Sequence, residues 1–240
     1  MHSLFISDLH LAPQRPAAVD ALFGFLDLTA PAAERLYVLG DLFEYWIGDD
    51  WLSDPFNRSI AEAFSRLAVR GTRLCFMHGN RDFLIGKDFA RAASMTLLED
   101  ETEVDLYGER TLLMHGDALC TDDVEYQRFR AMVRNPAWQR AFLSKPVEER
   151  IRTAQALRGE SERAKQAHDM AIMDAAPAAV EGVLRAHGYP RLIHGHTHRP
   201  ARHEHLVDGH ACERFVLADW YEQGSYLFCD AGGCRAVPIN

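Results

Sequence analysis

Five short polar motifs punctuate this chain, and each follows an apolar run with the character of a β-strand. They are Ser7-Asp8-Leu9-His10, Gly40-Asp41, His78-Gly79-Asn80-Arg81-Asp82, His115-Gly116-Asp117 and His194-Gly195-His196-Thr197-His198. One such string arises often by chance. Five in order, each at a strand's end, constrain the fold. They place polar groups beyond the carboxyl ends of the strands of an α/β sheet, where such folds gather ligands.

The segments between the motifs fit that placement. Leu4-Phe5-Ile6, Leu36 to Leu39 and Leu74 to Met77 read as short buried strands. Pro16 to Leu28 carries Val19, Leu22, Phe23 and Leu26 at helical spacing. Ser59 to Arg70 does the same with Ile60, Phe64 and Leu67, and Gly71 supplies the stop. The first third therefore predicts a β-α-β-α-β unit with parallel strands. Val104 to Leu106 and Thr111 to Met114, separated by Gly108-Glu109, predict a hairpin. From Asp122 to about Ala176 strand signals vanish and charged helical periodicity takes over. The expected organisation is a core of residues 1–121 and 177–240, with 122–176 inserted as a helical cap. Ala178 to Ala186 predicts a further helix and Leu192-Ile193 a strand leading into the last motif. Phe215 to Leu217, Tyr226 to Cys229 and Arg235 to Ile239 predict closing strands, with a turn at Ala231-Gly232-Gly233.

Composition narrows the function classes. Apolar residues make up 48% of the 240 and charged ones 25%, as expected of a globule with a sizeable core. The formal charge of -9 argues against a nucleic-acid binder, which needs clustered Lys and Arg. A phosphorylated substrate stays compatible, because bound divalent cations reverse the local sign. No apolar stretch approaches bilayer length, and no signal peptide is expected where the chain enters a strand at once. Cys75, Cys120, Cys212, Cys229 and Cys234 are odd in number and lack a CxxC pair; they read as reduced thiols of a cytosolic protein.

The motifs point to metal chemistry. Asp8 and His10 flank Leu9 and would share one side if strand geometry persisted past Ser7; His196 and His198 repeat this spacing around Thr197. Gly40 lets the backbone turn tightly before Asp41. Asn80 offers a neutral carbonyl oxygen. Mixed Asp, Asn and His donors without thiolate fit Mn²⁺, and also Mg²⁺, Fe²⁺, Co²⁺ or Zn²⁺. The candidate ligands Asp8, His10, Asp41, Asn80, His115, His196 and His198 exceed one coordination shell, so two metals are expected. A shared carboxylate would hold such a pair roughly 3.5–4 Å apart, able to polarise a phosphoryl oxygen and acidify a bridging water. In-line attack of that hydroxide on phosphorus is the expected reaction. His194 reads as structural. Gly48-Asp49-Asp50 reads as a capped loop as readily as a site loop, and His2, His187, His203, His205 and His210 as surface or core residues.

These blocks resemble the calcineurin-like metallophosphoesterases, which carry Asp-x-His, Gly-Asp, Gly-Asn, His and Gly-His-x-His in this order; the resemblance covers Leu4 to about Pro200. It implies an α/β fold, a four-layer αββα sandwich with metals at one edge. Within the family, Ser7 to Leu11, Gly40 to Asp50, Gly79 to Leu84 and His194 to Pro200 look like the members that cleave UDP-2,3-diacylglucosamine in lipid A biosynthesis. Arg81, where most of the family has His, is similar to that branch, and a guanidinium can grip two diphosphate oxygens. The resemblance implies attack at the α-phosphorus, giving UMP and the acylated sugar 1-phosphate. It also implies two Mn²⁺, work at the cytoplasmic face of the inner membrane, and no nucleic-acid or obligatory protein partner.

Carried over residue by residue, it puts Asp8, His10, Asp41 and His198 on one ion, and Asp41, Asn80, His115 and His196 on the other. Arg81, Asp123 and Ser161 would contact substrate beside Asn80 and His196. Lys165 and His168 stand where the family tends to show Asn and Lys. Tyr126, Phe129, Met132, Trp138 and Phe142 of the cap would line a groove for two acyl chains or pack the cap on the core, and some of them would do both. Arg128, Arg130, Arg134, Arg140, Arg150 and Arg152 suit either an anionic membrane surface or a solvated helix face. Two alternatives remain open: hydrolysis of another phosphodiester or nucleotide, and a metal-free scaffold that binds partner proteins.

Overall fold

The three apolar runs fold as parallel neighbours β1 (Ser3–Ile6), β2 (Arg35–Val38) and β3 (Arg73–Met77) in the computed structural model, which describes residues 1–167, 174–221 and 224–239. Helix α1 (Pro16–Gly24) connects the first two, and α2 (Pro55–Val69) the next pair. Asp54 caps α2 by accepting from the amides of Phe56 and Asn57, with Pro55 in the first turn. The helix thus begins one turn before the apolar periodicity that announces it. Helix α3 (Lys87–Ala92) then leads to β4 (Met95–Leu98), a further parallel strand that the sequence did not announce.

A second sheet is built around the hairpin β5 (Thr102–Leu106) and β6 (Glu109–Leu113). Its turn residues are Tyr107 and Gly108, both with positive φ, as a two-residue hairpin turn requires. The chain continues through α4 (Val124–Val133), α5 (Pro136–Leu143), α6 (Val147–Ala167) and α7 (Pro177–Ala186). Strands β7 (Arg191–His194), β8 (Ala201–Val207), β9 (His210–Val216), β10 (Ser225–Asp230) and β11 (Gly233–Pro238) complete the architecture. One sheet runs β11-β10-β1-β2-β3-β4 and the other β5-β6-β7-β9-β8.

Side-chain alternation stacks these layers. In β1 to β3, Leu4, Ile6, Leu36, Val38, Leu74 and Phe76 face α1, α2 and α3. Their alternates Phe5, Tyr37 and Met77 face the second sheet, meeting Leu113, Ile193 and Phe215. The outer face of the second sheet buries Leu112 and Leu192 against Val180 and Leu184 of α7. The result is helix, sheet, sheet, helix. Central strands buried on both faces explain why β1 to β3 read as continuous apolar runs. Strand β8 alternates exposed and partly buried polar residues at a sheet edge, so it carries no apolar signal.

Two sequence readings change. Cys229 and Cys234 are disulfide-bonded across β10 and β11, while Cys75, Cys120 and Cys212 are free thiols. Pairing across adjacent antiparallel strands leaves no CxxC trace. Among the arginines offered to a membrane or to solvent, Arg130, Arg134 and Arg150 turn inwards instead. Arg130 binds Asp117 and Asp100, and Arg134 donates to the Gly79 carbonyl. Arg150 is 2% exposed and donates to Asp50 and to the carbonyls of Ile47 and Lys145. Trp138 and Phe142 stack on each other at 5.0 Å and join the core cluster, the packing role that is one of their two readings, while Met132 stays exposed.

Arg150 ties α6 to the loop after β2. Replacing it with Ala is expected to cost about 2 kcal/mol, below the 3–5 typical of a fully buried pair because Asp50 is 55% exposed. Urea unfolding at neutral pH checks this. Hydrogen bonding to Arg150 depresses the Asp50 carboxyl. Its share of stability is therefore present above the ordinary aspartate range and lost as pH falls through the depressed value. The difference between wild type and Arg150→Ala should shrink in acid.

Candidate metal centre

The predicted donors come from loops that leave five parallel strand ends. Strand β1 ends at Ile6, so Asp8 and His10 do not continue it. They share one side for a different reason: both take left-handed backbone, with φ of 56° and 49°, while Leu9 between them is buried. Asp41, His196 and His198 repeat this, with φ of 53°, 67° and 54°. Each non-glycine residue in that region costs on the order of 1 kcal/mol, and such strain concentrates at functional sites.

Packing between loops offsets the strain. The amides of Asp8, His10 and Leu11 donate to the carbonyls of Gly40, Asp41 and Leu42. Buried Asp82 accepts from the amides of Asp41, Leu42 and Gly79, at 3.3, 2.7 and 2.8 Å, so it clamps the second loop to the third. Two glycines are required by close approach. A Cβ on Gly79 would lie 2.1 Å from Asp41 Oδ1, and one on Gly195 would lie 2.2 Å from Ser7 Oγ.

The side chains gather in two groups. Donor atoms of Asp8, His10 and His198 lie within 4.8 Å of one another, and so do those of Asp41, His115 and His196. Asp41 looks both ways: Oδ2 is 3.9 Å from His10 Nε2, and Oδ1 is 3.7 Å from His115 Nε2. Asn80 Oδ1 sits 3.0 Å from His115 Nε2 and 2.9 Å from His196 Nδ1. All seven predicted donors are thus brought together.

Neighbouring groups aim them. Ser7 Oγ and the His196 amide donate to Asp8 Oδ2, leaving the buried Oδ1 to face His198 Nε2 at 3.4 Å. His115 Nδ1 donates to the Leu39 carbonyl, which points Nε2 at the group. His198 Nδ1 lies 3.3 Å from Asp219 Oδ2, while its Nε2 faces Asp8 and lies 3.3 Å from His10 Nε2.

Electrostatics favours a cation here. Burial opposes ionisation of Asp8, but hydrogen bonding to His198 and the charge on His115 hold it well below the usual range. Burial pushes Asp41 up to about 7, against the pull of His115. Burial also opposes charge on His115, yet Asp41, Asp8 and Asp117 outweigh it and hold the ring at about 9. Burial, aided by His115, drives His196 down to about 3. The buried acids thus keep a proton on His115 that a divalent cation would displace on binding, and carboxylate, amide and imidazole donors without thiolate are the set such cations match.

The other predicted residues fall outside these groups. The Arg81 amide donates to Asp41 Oδ1, and its cationic charge reaches His10, Asp41 and Tyr221. Asp123 caps α4 by accepting from the Tyr126 amide. The side chains of Ser161 and Lys165, and the whole of His168, lie outside the described residues. His194 is buried and structural: Nδ1 donates to the Gly195 carbonyl, and Arg214 donates to Nε2. In the acidic loop, Asp49 accepts from the amides at the start of α3, and Asp50 pairs with Arg150.

Sequence reasoning passed over four neighbours. Asp82 stood inside a motif without a role. Asp117 likewise stood inside a motif without a role, but it is fully buried, accepts from the Tyr126 hydroxyl and pairs with Arg130. Asp219 and Tyr221 sit in a late loop with no motif around them. Tyr221 nevertheless stacks on His10 at 5.2 Å.

Asp219→Ala is expected to keep the fold and to weaken divalent-cation uptake about 10–100-fold, the usual loss when a carboxylate that orients a metal-binding His is removed. Equilibrium dialysis with metal analysis, beside a thermal melt, reads both. Wild-type uptake by the variant would remove Asp219 from this role.

The profile of the calcineurin-like phosphoesterase family matches residues 1–200. A protein of Aromatoleum aromaticum called UDP-2,3-diacylglucosamine hydrolase is 54% identical over 233 residues, covering 97% of this chain and 95% of that protein. Proteins of the same name from Aeromonas salmonicida and Stenotrophomonas maltophilia are each 50% identical, covering 98% and 97% of this chain and 92% and 96% of their own lengths. With the profile matched over most of its length and these relatives about half identical almost end to end, the chain belongs to the calcineurin-like phosphoesterase family.

Proposed function

We propose that this protein hydrolyses the pyrophosphate bond of UDP-2,3-diacylglucosamine, a step of lipid A biosynthesis, releasing UMP and 2,3-diacylglucosamine 1-phosphate. One observation carries the proposal: two convergent donor groups, flanked by Arg81, in a chain 54% identical to a relative bearing that hydrolase's name. The family implies a divalent metal. Mn²⁺ is the proposed ion, with Mg²⁺, Co²⁺ or Zn²⁺ as substitutes. Asp8, His10, Asp41 and His198 would hold one ion, and Asp41, Asn80, His115 and His196 the other. Bound there, divalent cations supply Lewis-acid polarisation of a phosphoryl oxygen and a water acidic enough to ionise near neutral pH.

The remaining chemistry belongs to the chain. Arg81 grips non-bridging oxygens of the diphosphate and gathers charge that grows as the bond breaks. Asn80 and His196 border the same space and orient the phosphate. The Tyr126 ring stacks on His196 at 5.7 Å and shields the site from water on the α4 side. We assign residues 1–121 and 177–240 to the core and 122–176 to a cap. Asp123, Ser161, Lys165 and His168 are its proposed sugar contacts. The acyl chains take the seam between cap and core, where Phe83 meets Trp138 at 6.2 Å.

Membrane association is proposed to be peripheral, at the inner membrane's cytoplasmic face. No described helix is long and apolar enough to cross a membrane. Val124, Met132 and Leu143 of the cap are exposed apolar residues, near in sequence to the exposed Arg128 and Arg140. Such a surface suits anionic lipid.

Purified protein offered the acylated UDP-sugar beside bis(p-nitrophenyl) phosphate tests the reading. Preferred turnover of the sugar nucleotide, lost on chelation and restored by Mn²⁺, is the expected result. Turnover of the aryl ester alone would overturn the substrate assignment. His10→Ala and Asp41→Ala should abolish turnover while circular dichroism stays native. Arg81→Ala should lower kcat/KM by about 10²–10³-fold, as removal of other transition-state donors does, with metal content unchanged.

A further inference from the structure

A cavity of about 580 Å³ opens beside the Asp8, His10 and His198 group, and the metal donors do not line it. Its size lies within the roughly 300–1,000 Å³ of small-molecule sites. It begins one residue from a donor, at Leu11. Tyr221 also lines it, and that ring reaches His10 at 5.2 Å and His198 at 5.7 Å. Tyr221 therefore borders both the cavity and the metal centre.

The lining has a distinct chemistry. Part is aromatic, with Tyr45 and Trp51 stacked 5.2 Å apart at 17° and Phe56 beside them. Part is amide, from the exposed Gln14 and Gln155. Its ionised residues, Glu44, Asp54, Arg15 and Arg158, balance in sign. They also have work within the protein. Arg158 pairs with Glu44 at 2.7 Å, Asp54 caps α2, and Arg15 donates to the carbonyls of Leu9, His10 and Trp220. Balanced charge does not suit a phosphate, and amides do not suit an acyl chain. Flat aromatic surface with amide donors and acceptors suits an uncharged heterocycle on a sugar.

Helix α6 borders both this cavity and the apolar seam. Along one stripe at i, i+3, i+4 and i+7 spacing, Ile151 and Ala154 pack with Trp138 against the core, and Gln155 and Arg158 line the cavity. The substrate leaves the scissile diphosphate in two directions, one arm doubly acylated and the other a nucleoside. Two arms of opposite character need two differently lined spaces, and the apolar seam at Phe83 and Trp138 and the amide-edged cavity differ in that way.

We propose that this cavity is the nucleoside arm of the site and takes the uracil and ribose of the substrate's UMP half, an inference that rests on the hydrolase reading above. Gln14→Trp and Gln155→Trp would fill its mouth from exposed positions outside the metal groups. In the Mn²⁺-loaded protein, both variants should bind UMP about tenfold more weakly by calorimetry and show a KM for the acylated UDP-sugar raised to a similar degree. Inorganic phosphate binding and bis(p-nitrophenyl) phosphate turnover should stay at wild-type values.

Several outcomes would overturn the proposal. One is unchanged UMP affinity in both variants; another is a raised KM without loss of UMP affinity, which would put an acyl chain in the cavity. A wild type that binds UMP no more tightly than inorganic phosphate, or an equal loss of aryl ester turnover, would do the same. Wild-type protein that ignores the acylated sugar nucleotide, yet binds UMP in a way both variants lose, would sink the substrate reading and leave the cavity's assignment standing.

Discussion

Two carboxylates, Asp8 and Asp41, are buried almost completely within reach of four imidazoles, and the rest of the molecule is arranged to keep them there. A buried carboxylate is costly unless it is hydrogen-bonded or paired. Asp8 meets this with Ser7 and the His196 amide on one oxygen, Asp41 with the Arg81 amide on one of its own. In each case another oxygen is turned towards the histidines. Four loops remote in sequence thus share one demand. The loop after β1 cannot move without disturbing the loop after β7, and the loop after β2 cannot move without the loop after β3.

That demand explains the backbone. Five of the seven donors sit in left-handed conformations, a cost that only a rigid frame sustains. The frame is two sheets packed face to face, with strands buried on both sides and helices outside. Asp82 joins the frame to the loops through three backbone amides. Glycine follows at Gly79 and Gly195 because any side chain there would collide with a donor or its buttress.

The helical segment is coupled to the same centre. Asp117 leaves the strand β6 loop and receives both the Tyr126 hydroxyl and Arg130, while Arg134 reaches the carbonyl of Gly79. Through these contacts α4 touches the loops that carry His115 and Asn80. Placement of the segment over the site and geometry of the donors are therefore one problem. A segment that reads in sequence as a solvated, charged helix run has several of its arginines pointed inwards for this reason.

The sequence by itself determined which seven polar side chains to look for together, the parallel unit β1 to β3, the hairpin, and the helical character of the segment after Asp122. Each is encoded locally: a motif of fixed spacing, an apolar run, or a helical period. It could not announce β4 or β8, whose residues are partly or largely exposed, nor the Cys229–Cys234 pairing, which depends on strand register. Tertiary structure alone decided that Asp8 and His10 converge through left-handed turns, that Asp219 lies against His198 from more than twenty residues along the chain, and that Arg150 is buried rather than solvated. The physical reason is common to all three. Local pattern records which groups a residue offers, but whether a polar group faces solvent, a counter-charge or a metal donor is fixed by the partners that folding brings from elsewhere.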